Sequence, residues 1–323
     1  MAEAAPISVI VNSGSGQGCS PEWARELEQK FRAEGLAATV VLIDDGAKLL
    51  DAATKAVKSG ARTVIAAGGD GTVSGVASRL AGTGVTLGVL PQGTLNHFAK
   101  DLGIPLDLDA AVKVIAHGRE IAVDAGEVNG RVFVNNSSLG LYPDIVLDRE
   151  RQRSRLGRGK WRALLAASIH AARRYPVLSL TLELDGKAYE RRSAFVFIGN
   201  NEYQMEGFEI GERATLSGGR LSLYVTQRTG RFGLLRLAFL ALFHRLAQAR
   251  DFDKVTAASF VVHTRHKRLR VATDGEVTMM ETPLNYRILP AALRVLVPRE
   301  ESGLDRTQKT QKSAEDAKEG RKE

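Results

Sequence analysis

Three short, glycine-rich polar segments carry residue types suited to holding phosphate: Asn12-Ser13-Gly14-Ser15-Gly16-Gln17-Gly18, Gly68-Gly69-Asp70-Gly71-Thr72 and Pro91-Gln92-Gly93-Thr94-Leu95-Asn96. Glycine has no Cβ, so backbone N–H groups there can approach phosphate oxygens, and a helix starting just afterwards adds the positive end of its dipole. The spacing is neither G-x-x-x-x-G-K-[ST] nor a clean G-x-G-x-x-G, which disfavours a P-loop and a dinucleotide fingerprint. One such segment is explained equally well by the steric needs of a tight turn; three converging segments point to a polyphosphate ligand.

A regular alternation positions them. β-branched runs over 7–11, 38–43, 63–67 and 85–90 read as strands, and helical patterns occupy 22–34, 47–59, 73–81 and 108–117. This βαβα rhythm predicts an α/β nucleotide-binding domain built on a doubly wound parallel sheet. All three segments then lie at the carboxyl edge, where open α/β sheets bind ligands. After Asp124 the pattern changes to strands with hairpin signals, Asn129-Gly130 and Asp185-Gly186 among them. Strands expected at 125–129, 131–135, 178–184, 187–198, 221–227, 260–264 and 269–273 predict an antiparallel β-sandwich, with helical interruptions near 159–174 and 231–250. The expected organisation is an α/β domain over 1–124, a substrate domain over 125–290 and a closing segment over 291–299 that packs back on the first domain. The polar residues 300–323 bury too little apolar surface to offset ordering entropy and are expected to be disordered.

The 323 residues are 44% hydrophobic and 25% charged, ordinary values for a globular chain. A single cysteine, Cys19, precludes an internal disulfide and leaves little basis for a thiol catalyst or cysteine-built metal site. The N-terminal apolar run has no basic stretch before it, and the stretch 234–243 contains Arg236 and falls short of the roughly 20 residues a bilayer span needs. A cytoplasmic protein without an integral membrane segment is expected. Net charge is +8, and the near-neutral tail places the excess on the folded body, which suits a polyanionic partner. Residues 149–174 gather eight arginines and Lys160 against one acid, Glu150, with Trp161, Leu164, Leu165 and Ile169 at helical spacing. The segment reads either as a helix lying on an anionic membrane or as a core-packed helix with a solvated basic rim. The same two readings apply to 230–250. Nucleic acid is not an expected partner, because no interleaved aromatics or reader module accompany the bases.

Gly68-Gly69-Asp70-Gly71-Thr72, followed by Leu90-Pro91-Gln92-Gly93-Thr94-Leu95-Asn96-His97-Phe98-Ala99, resembles the diacylglycerol kinase catalytic-domain family, which includes bacterial lipid kinases, sphingosine kinase and ceramide kinase. The resemblance continues in order through Asp124-Ala125-Gly126, Gly199-Asn200-Asn201, Thr273-Asp274-Gly275-Glu276 and Leu289-Pro290-Ala291-Ala292-Leu293-Arg294-Val295. It implies an N-terminal α/β domain, a C-terminal β-sandwich and an ATP site in the cleft between them, with transfer of the γ-phosphoryl group to a hydroxyl of diacylglycerol or a similar lipid. On this resemblance Asn12, Ser13, Gly14, Ser15 and Gly16, with Gly68, Gly69, Asp70, Gly71 and Thr72, would hold the ATP phosphates. Gly93, Thr94 and Asn96 would close the site, and Glu276 would accept the proton of the lipid hydroxyl.

Phosphoryl transfer needs a triphosphate neutralised in part by Mg²⁺ and a carboxylate near the attacking hydroxyl. Asp274 and Asp70 complete the expected catalytic set, and Asp124 and Asp70 are the candidates for Mg²⁺, which retains much of its water. Each acid also has a plainer reading: Asp70 as a turn or helix-cap residue, Asp274-Gly275-Glu276 as a hairpin corner. Two departures from the family pattern are His97, where Asn-Asp-Phe-Ala would place an acid, and Leu216-Ser217-Gly218-Gly219-Arg220, where related bacterial kinases carry an Asp-Gly that helps hold Mg²⁺. An accessory metal site there is expected to be missing or altered. The expected partner is a lipid substrate at an anionic membrane surface, reached by peripheral association, and a homodimer is allowed. The alternatives are a kinase of a soluble substrate such as NAD and a non-catalytic nucleotide or lipid sensor.

Overall fold

The computed structural model describes residues 7–14, 19–140, 178–193, 195–206, 209–213, 215–226 and 252–299. Ser15 and Gly16, the helices expected near 159–174 and 231–250, and the tail 300–323 lie outside the described residues.

Strands β1 (Ile7–Asn12), β2 (Ala38–Ile43), β3 (Thr63–Gly68) and β4 (Thr86–Pro91) alternate with helices α1 (Pro21–Ala33), α2 (Gly46–Lys58), α3 (Asp70–Leu80), α4 (His97–Asp101) and α5 (Leu108–His117). Three of these helices start where a side chain accepts from a first-turn amide: Ser20 from Trp23, Asp45 from Lys48 and Asp107 from Ala110. The four strands are parallel in the order β2-β1-β3-β4. Helices α1 and α5 touch each other on one side of this sheet, and α2 and α3 touch on the other, which makes the layer doubly wound. Ile10, Leu27, Phe31, Ile65, Leu80, Leu87 and Leu90 fill the core between these layers. Helix α4 escapes sequence reading because five residues hold little more than one helical turn of periodicity.

The remaining elements are strands: β5 (Arg119–Val128), β6 (Arg131–Phe133), β7 (Asn136–Gly140), β8 (Leu178–Leu184), β9 (Lys187–Ser193), β10 (Phe195–Asn200), β11 (Tyr203–Glu206), β12 (Glu209–Arg213), β13 (Leu221–Thr226), β14 (Phe252–Ala257), β15 (Ser259–Thr264), β16 (Arg268–Thr273), β17 (Glu276–Glu281) and β18 (Leu284–Val297). Asn129-Gly130, Asp185-Gly186 and Asp274-Gly275 turn three hairpins with positive φ at both residues, the backbone that a type I′ turn requires and that Asn, Asp and Gly tolerate best. A six-stranded antiparallel sheet, β14-β13-β10-β7-β16-β17, packs on β5, β8, β15 and β18 through Phe133, Leu139, Leu180, Ile198, Val262, Val271 and Tyr286. The Phe260 ring stacks on Tyr286 at 5.1 Å, and Ser137 on β7 hydrogen-bonds the Tyr286 hydroxyl on β18 at 3.0 Å.

Strand β18 joins the two layers. It pairs antiparallel with β15 and with nearly all of β5, and parallel with β4 through Arg294 and Val295. A single ten-stranded sheet therefore runs from β2 through β4 and β18 to β9. Pro290, which cannot donate to a ladder, is absorbed where the β5 register shifts between Leu289 and Leu293, with Ala291 at φ 49°.

Candidate active site

The glycine segments end β1, β3 and β4 and touch one another. Asn12 Nδ2 donates to Thr72 Oγ1 at 3.0 Å while its Oδ1 accepts from Gly14 N–H at 3.0 Å, tying the first loop to the second. A Cβ on Gly68 would lie 2.5 Å from Thr72 Oγ1, so a bare backbone is needed for Thr72 to turn inward. A Cβ on Gly93 would lie 2.5 Å from the Gly69 Cα and 2.8 Å from Asn96 Oδ1, so the second and third loops are in backbone contact. Asn96, buried at φ 51°, holds its loop closed by accepting from Gly93 N–H at 2.9 Å and donating to Gly93 O at 2.8 Å.

Helix α3 has Gly69 as its N-cap and no side-chain cap. Its first backbone bond runs from Val73 N–H to Gly69 O at 3.0 Å, so the amides of Asp70, Gly71 and Thr72 precede the intrahelical ladder and are suited to an anion. Gly71 and Thr94 are exposed at this rim, as is His97. The Asp70 carboxylate, partly exposed, has no hydrogen-bond or ion-pair partner among the described residues.

The other three acids divide by environment. Asp124, 3% exposed, accepts from Gly219 N–H at 2.7 Å and Ala291 N–H at 2.9 Å, and its own N–H donates to Leu216 O at 2.8 Å. It thereby knots β5, the 215–220 loop and the irregular part of β18. Asp274 accepts from the N–H groups of Val134 and Asn135 at 2.8 Å and of Asn136 at 3.0 Å. Burial pushes its carboxyl above the usual carboxylate range, against the pull of those three amides and the Arg213 charge. Glu276, two residues further on, has a side chain 59% exposed and accepts from Arg131 Nη2 at 2.5 Å. The same guanidinium donates to Thr273 and Thr278 Oγ1, both at 2.8 Å, and so clamps the hairpin that carries Glu276. Helix α3 packs on β6, the strand of Arg131, and α4 packs on β12, bringing the glycine loops to the side of the sandwich that carries these acids. Among the described residues no three His, Cys, Asp or Glu side chains converge on a cation position.

Residues 6–128 match the family model of the diacylglycerol kinase catalytic domain, and residues 143–297 match that of the YegS C-terminal NAD kinase beta sandwich-like domain. The chain belongs to the diacylglycerol kinase catalytic-domain family. Similar members include a "Probable lipid kinase YegS-like" of Klebsiella pneumoniae (strain 342), 29% identical over 305 residues that make up 91% of this chain and 96% of the relative. A "Diacylglycerol kinase" of Mycobacterium tuberculosis is 29% identical over 304 residues, 92% of this chain and 96% of that one. A crystal structure of a diacylglycerol kinase from Bacillus anthracis str. Sterne has the same fold, with a TM-score of 0.64 and 21% identity over 90% of this chain and 96% of that one.

In this family member Asn12, Gly68, Gly69, Thr72, Gly93 and Asn96 form one contiguous set. Ser13 N–H donates to Ile43 O at 2.9 Å and so keeps the first loop against β2. Asp124 and Asp274 are engaged with backbone amides, whereas the Asp70 and Glu276 carboxylates reach solvent. Sequence reading misses Arg131 because Glu276 lies 145 positions away, with no local pattern to announce the pair. Arg131→Gln is expected to leave stability within about 1 kcal/mol of wild type, since half-exposed ion pairs contribute little; urea titration checks this. A larger loss would show that the two threonine bonds carry the hairpin.

Proposed function

We propose that the protein is an ATP-dependent lipid kinase that transfers the γ-phosphoryl group to a hydroxyl of diacylglycerol or a similar lipid alcohol. The observation that carries this reading is the mutual contact of the three loops at Asn12–Thr72 and Gly69–Gly93, beside a helix start with no side-chain cap. Family membership supports the phosphotransferase class.

The residues fit ATP and Mg²⁺ in different ways. Crowding at Gly68 and Gly93, where a Cβ would collide, shapes a bare-backbone cradle for phosphate oxygens, with the amides of Asp70, Gly71 and Thr72 facing the anion. Asp70, whose carboxylate has no protein partner among the described residues, fits a cation that takes most of its ligands from water and phosphate. Asp124 already accepts two amide bonds and fits a water-mediated role. Bound Mg²⁺ would neutralise charge building on the transferring group.

Glu276 takes the proton from the lipid hydroxyl, a contribution of about 10² to 10⁴ in rate for a placed base. Arg131 orients its carboxylate, and Asp274 fixes the turn on which it rides. Asn96 and Gly93 hold the third loop closed over the phosphates, with Thr94 at its exposed rim. Among the described residues no helix is long and apolar enough to cross a membrane. In this reading the lipid is met by peripheral contact. The basic segment 149–174 suits an anionic surface by charge.

The test is transfer of label from γ-³²P-ATP to total lipid extract, diacylglycerol, sphingosine or NAD by wild type and Glu276→Ala. Labelled lipid from the wild type, strongly reduced in the variant, supports the reading. Labelled NADP moves the activity to a soluble acceptor, and ATP binding without transfer to any acceptor overturns the enzyme in favour of a sensor. Chelation of divalent cations is expected to stop transfer without moving the unfolding midpoint, because Asp101, Asp124 and Asp274 each have protein partners that hold them in place. Differential scanning fluorimetry with and without EDTA reads this directly.

A further inference from the structure

We propose that Arg213 is a positioning residue that sets the third glycine loop against the Asp274–Glu276 hairpin; the catalytic part of this inference rests on the kinase reading above. Arg213 belongs to neither the glycine loops nor the Asp-Gly-Glu turn. Its side chain is 0% exposed, and its ion-pair partner Asp101 is 7% exposed. Nε donates to Asp101 Oδ2 at 2.8 Å, Nη2 lies 2.8 Å from the same oxygen and donates to Asn135 Oδ1 at 3.2 Å, and Nη1 donates to Val134 O at 2.6 Å. The guanidinium carbon lies 5.8 Å from the centroid of the Phe98 ring and 5.5 Å from that of Tyr203.

These partners fall into two groups. Asp101 and Phe98 lie on α4, which continues directly from the loop that Asn96 closes onto Gly93. Val134 and Asn135 are two of the three residues whose N–H groups hold the Asp274 carboxylate. One short backbone segment therefore has a buried cation on a carbonyl and a carboxylate on its amides. Bonds that share a peptide unit polarise one another, so the position of α4 is read through Arg213 into the segment that seats Asp274.

A role in stability alone does not explain the choice of residues. Well-packed apolar side chains commonly replace a buried ion pair at no loss of stability, whereas a forked guanidinium fixes direction as well as distance. A five-residue helix has little stability of its own, so α4 takes its place from its contacts, and Arg213 supplies the charged ones.

The experiment compares wild type with Arg213→Lys, Arg213→Met and the double variant D101L/R213M, which removes both members of the Arg213–Asp101 pair if the single variant fails to fold. Readouts are urea unfolding, kcat and KM for ATP in lipid transfer, and amide hydrogen exchange at Gly93 and residues 134–136. The expected result is a folded double variant whose kcat falls about a hundredfold, the scale of a misplaced reacting group, with KM for ATP little changed and faster exchange at both Gly93 and 134–136. Arg213→Lys, which keeps the charge but not the fork, is expected to fall between. A folded double variant with wild-type kcat and unchanged exchange overturns the proposal. If the wild type transfers no phosphate to any acceptor, the kinase reading fails, and exchange decides the coupling alone: acceleration at both places supports it, and acceleration at neither or at one overturns it.

Discussion

Gly93→Ala is expected to lower phosphoryl transfer by more than about a hundredfold and to weaken ATP binding, with the chain still folded. The added methyl would sit 2.5 Å from the Gly69 Cα and 2.8 Å from Asn96 Oδ1. One neighbour is backbone, and the other is an amide locked by two hydrogen bonds to Gly93 itself. Neither can yield cheaply, so the loops must part. Gly69→Ala, with its nearest contact at 3.3 Å from the Gly93 Cα, is expected to do the same more mildly. Gly71 provides the contrast, because nothing lies within 4 Å of a Cβ built there. Gly71→Ala is therefore expected to keep wild-type stability and to lose ATP affinity only if phosphate occupies that space. Titration calorimetry with ATP on the three variants measures the series, and wild-type affinity in Gly93→Ala would remove the loops from the binding site.

The second large effect belongs to Asp274→Ala, expected to cost about 3 to 5 kcal/mol of stability, the range seen when a buried polar network loses its acceptor. Three successive amides, of Val134, Asn135 and Asn136, would lose their acceptor together. Asp274→Asn retains one carbonyl oxygen but turns an NH₂ toward a donor, and is expected to fall between wild type and alanine. Urea unfolding at pH 7 gives the values, and a loss under about 1 kcal/mol would mean that the amides find other acceptors. Activity is expected to fall in both variants, because Glu276 rides on the same turn.

What could be read from residues alone follows the range of the interactions. Glycine loops and I′ turns are local chemistry, so Gly68–Thr72 and the Asp185-Gly186 corner are both visible without a structure. Strand β7 is not, because Ser137, which faces Tyr286, and Ser138 on the opposite face are both 0% exposed, and serine at buried positions hides the apolar signal. Strand β17 sits at a sheet edge with Met279 facing out, so its alternation is blurred. The Arg131–Glu276 and Arg213–Asp101 pairs bridge 145 and 112 positions, and no periodicity reports a partner at that distance. Asp124 and Asp274 are legible as acids, but their seats on backbone amides depend on Gly219, Ala291 and residues 134–136 being folded around them.

The parallel pairing of Arg294 with Thr86 bears on the order in which the molecule can be made. As the chain leaves the ribosome, all three glycine loops emerge early, but the neighbour of β4 is among the last of the described strands to appear. Until then the layer that carries the loops has an open edge, and such edges invite pairing with other chains. Completion of the parallel layer and closure of the sandwich thus wait on the same strand, and a fragment ending near residue 128 would carry the loops with that edge still unpaired.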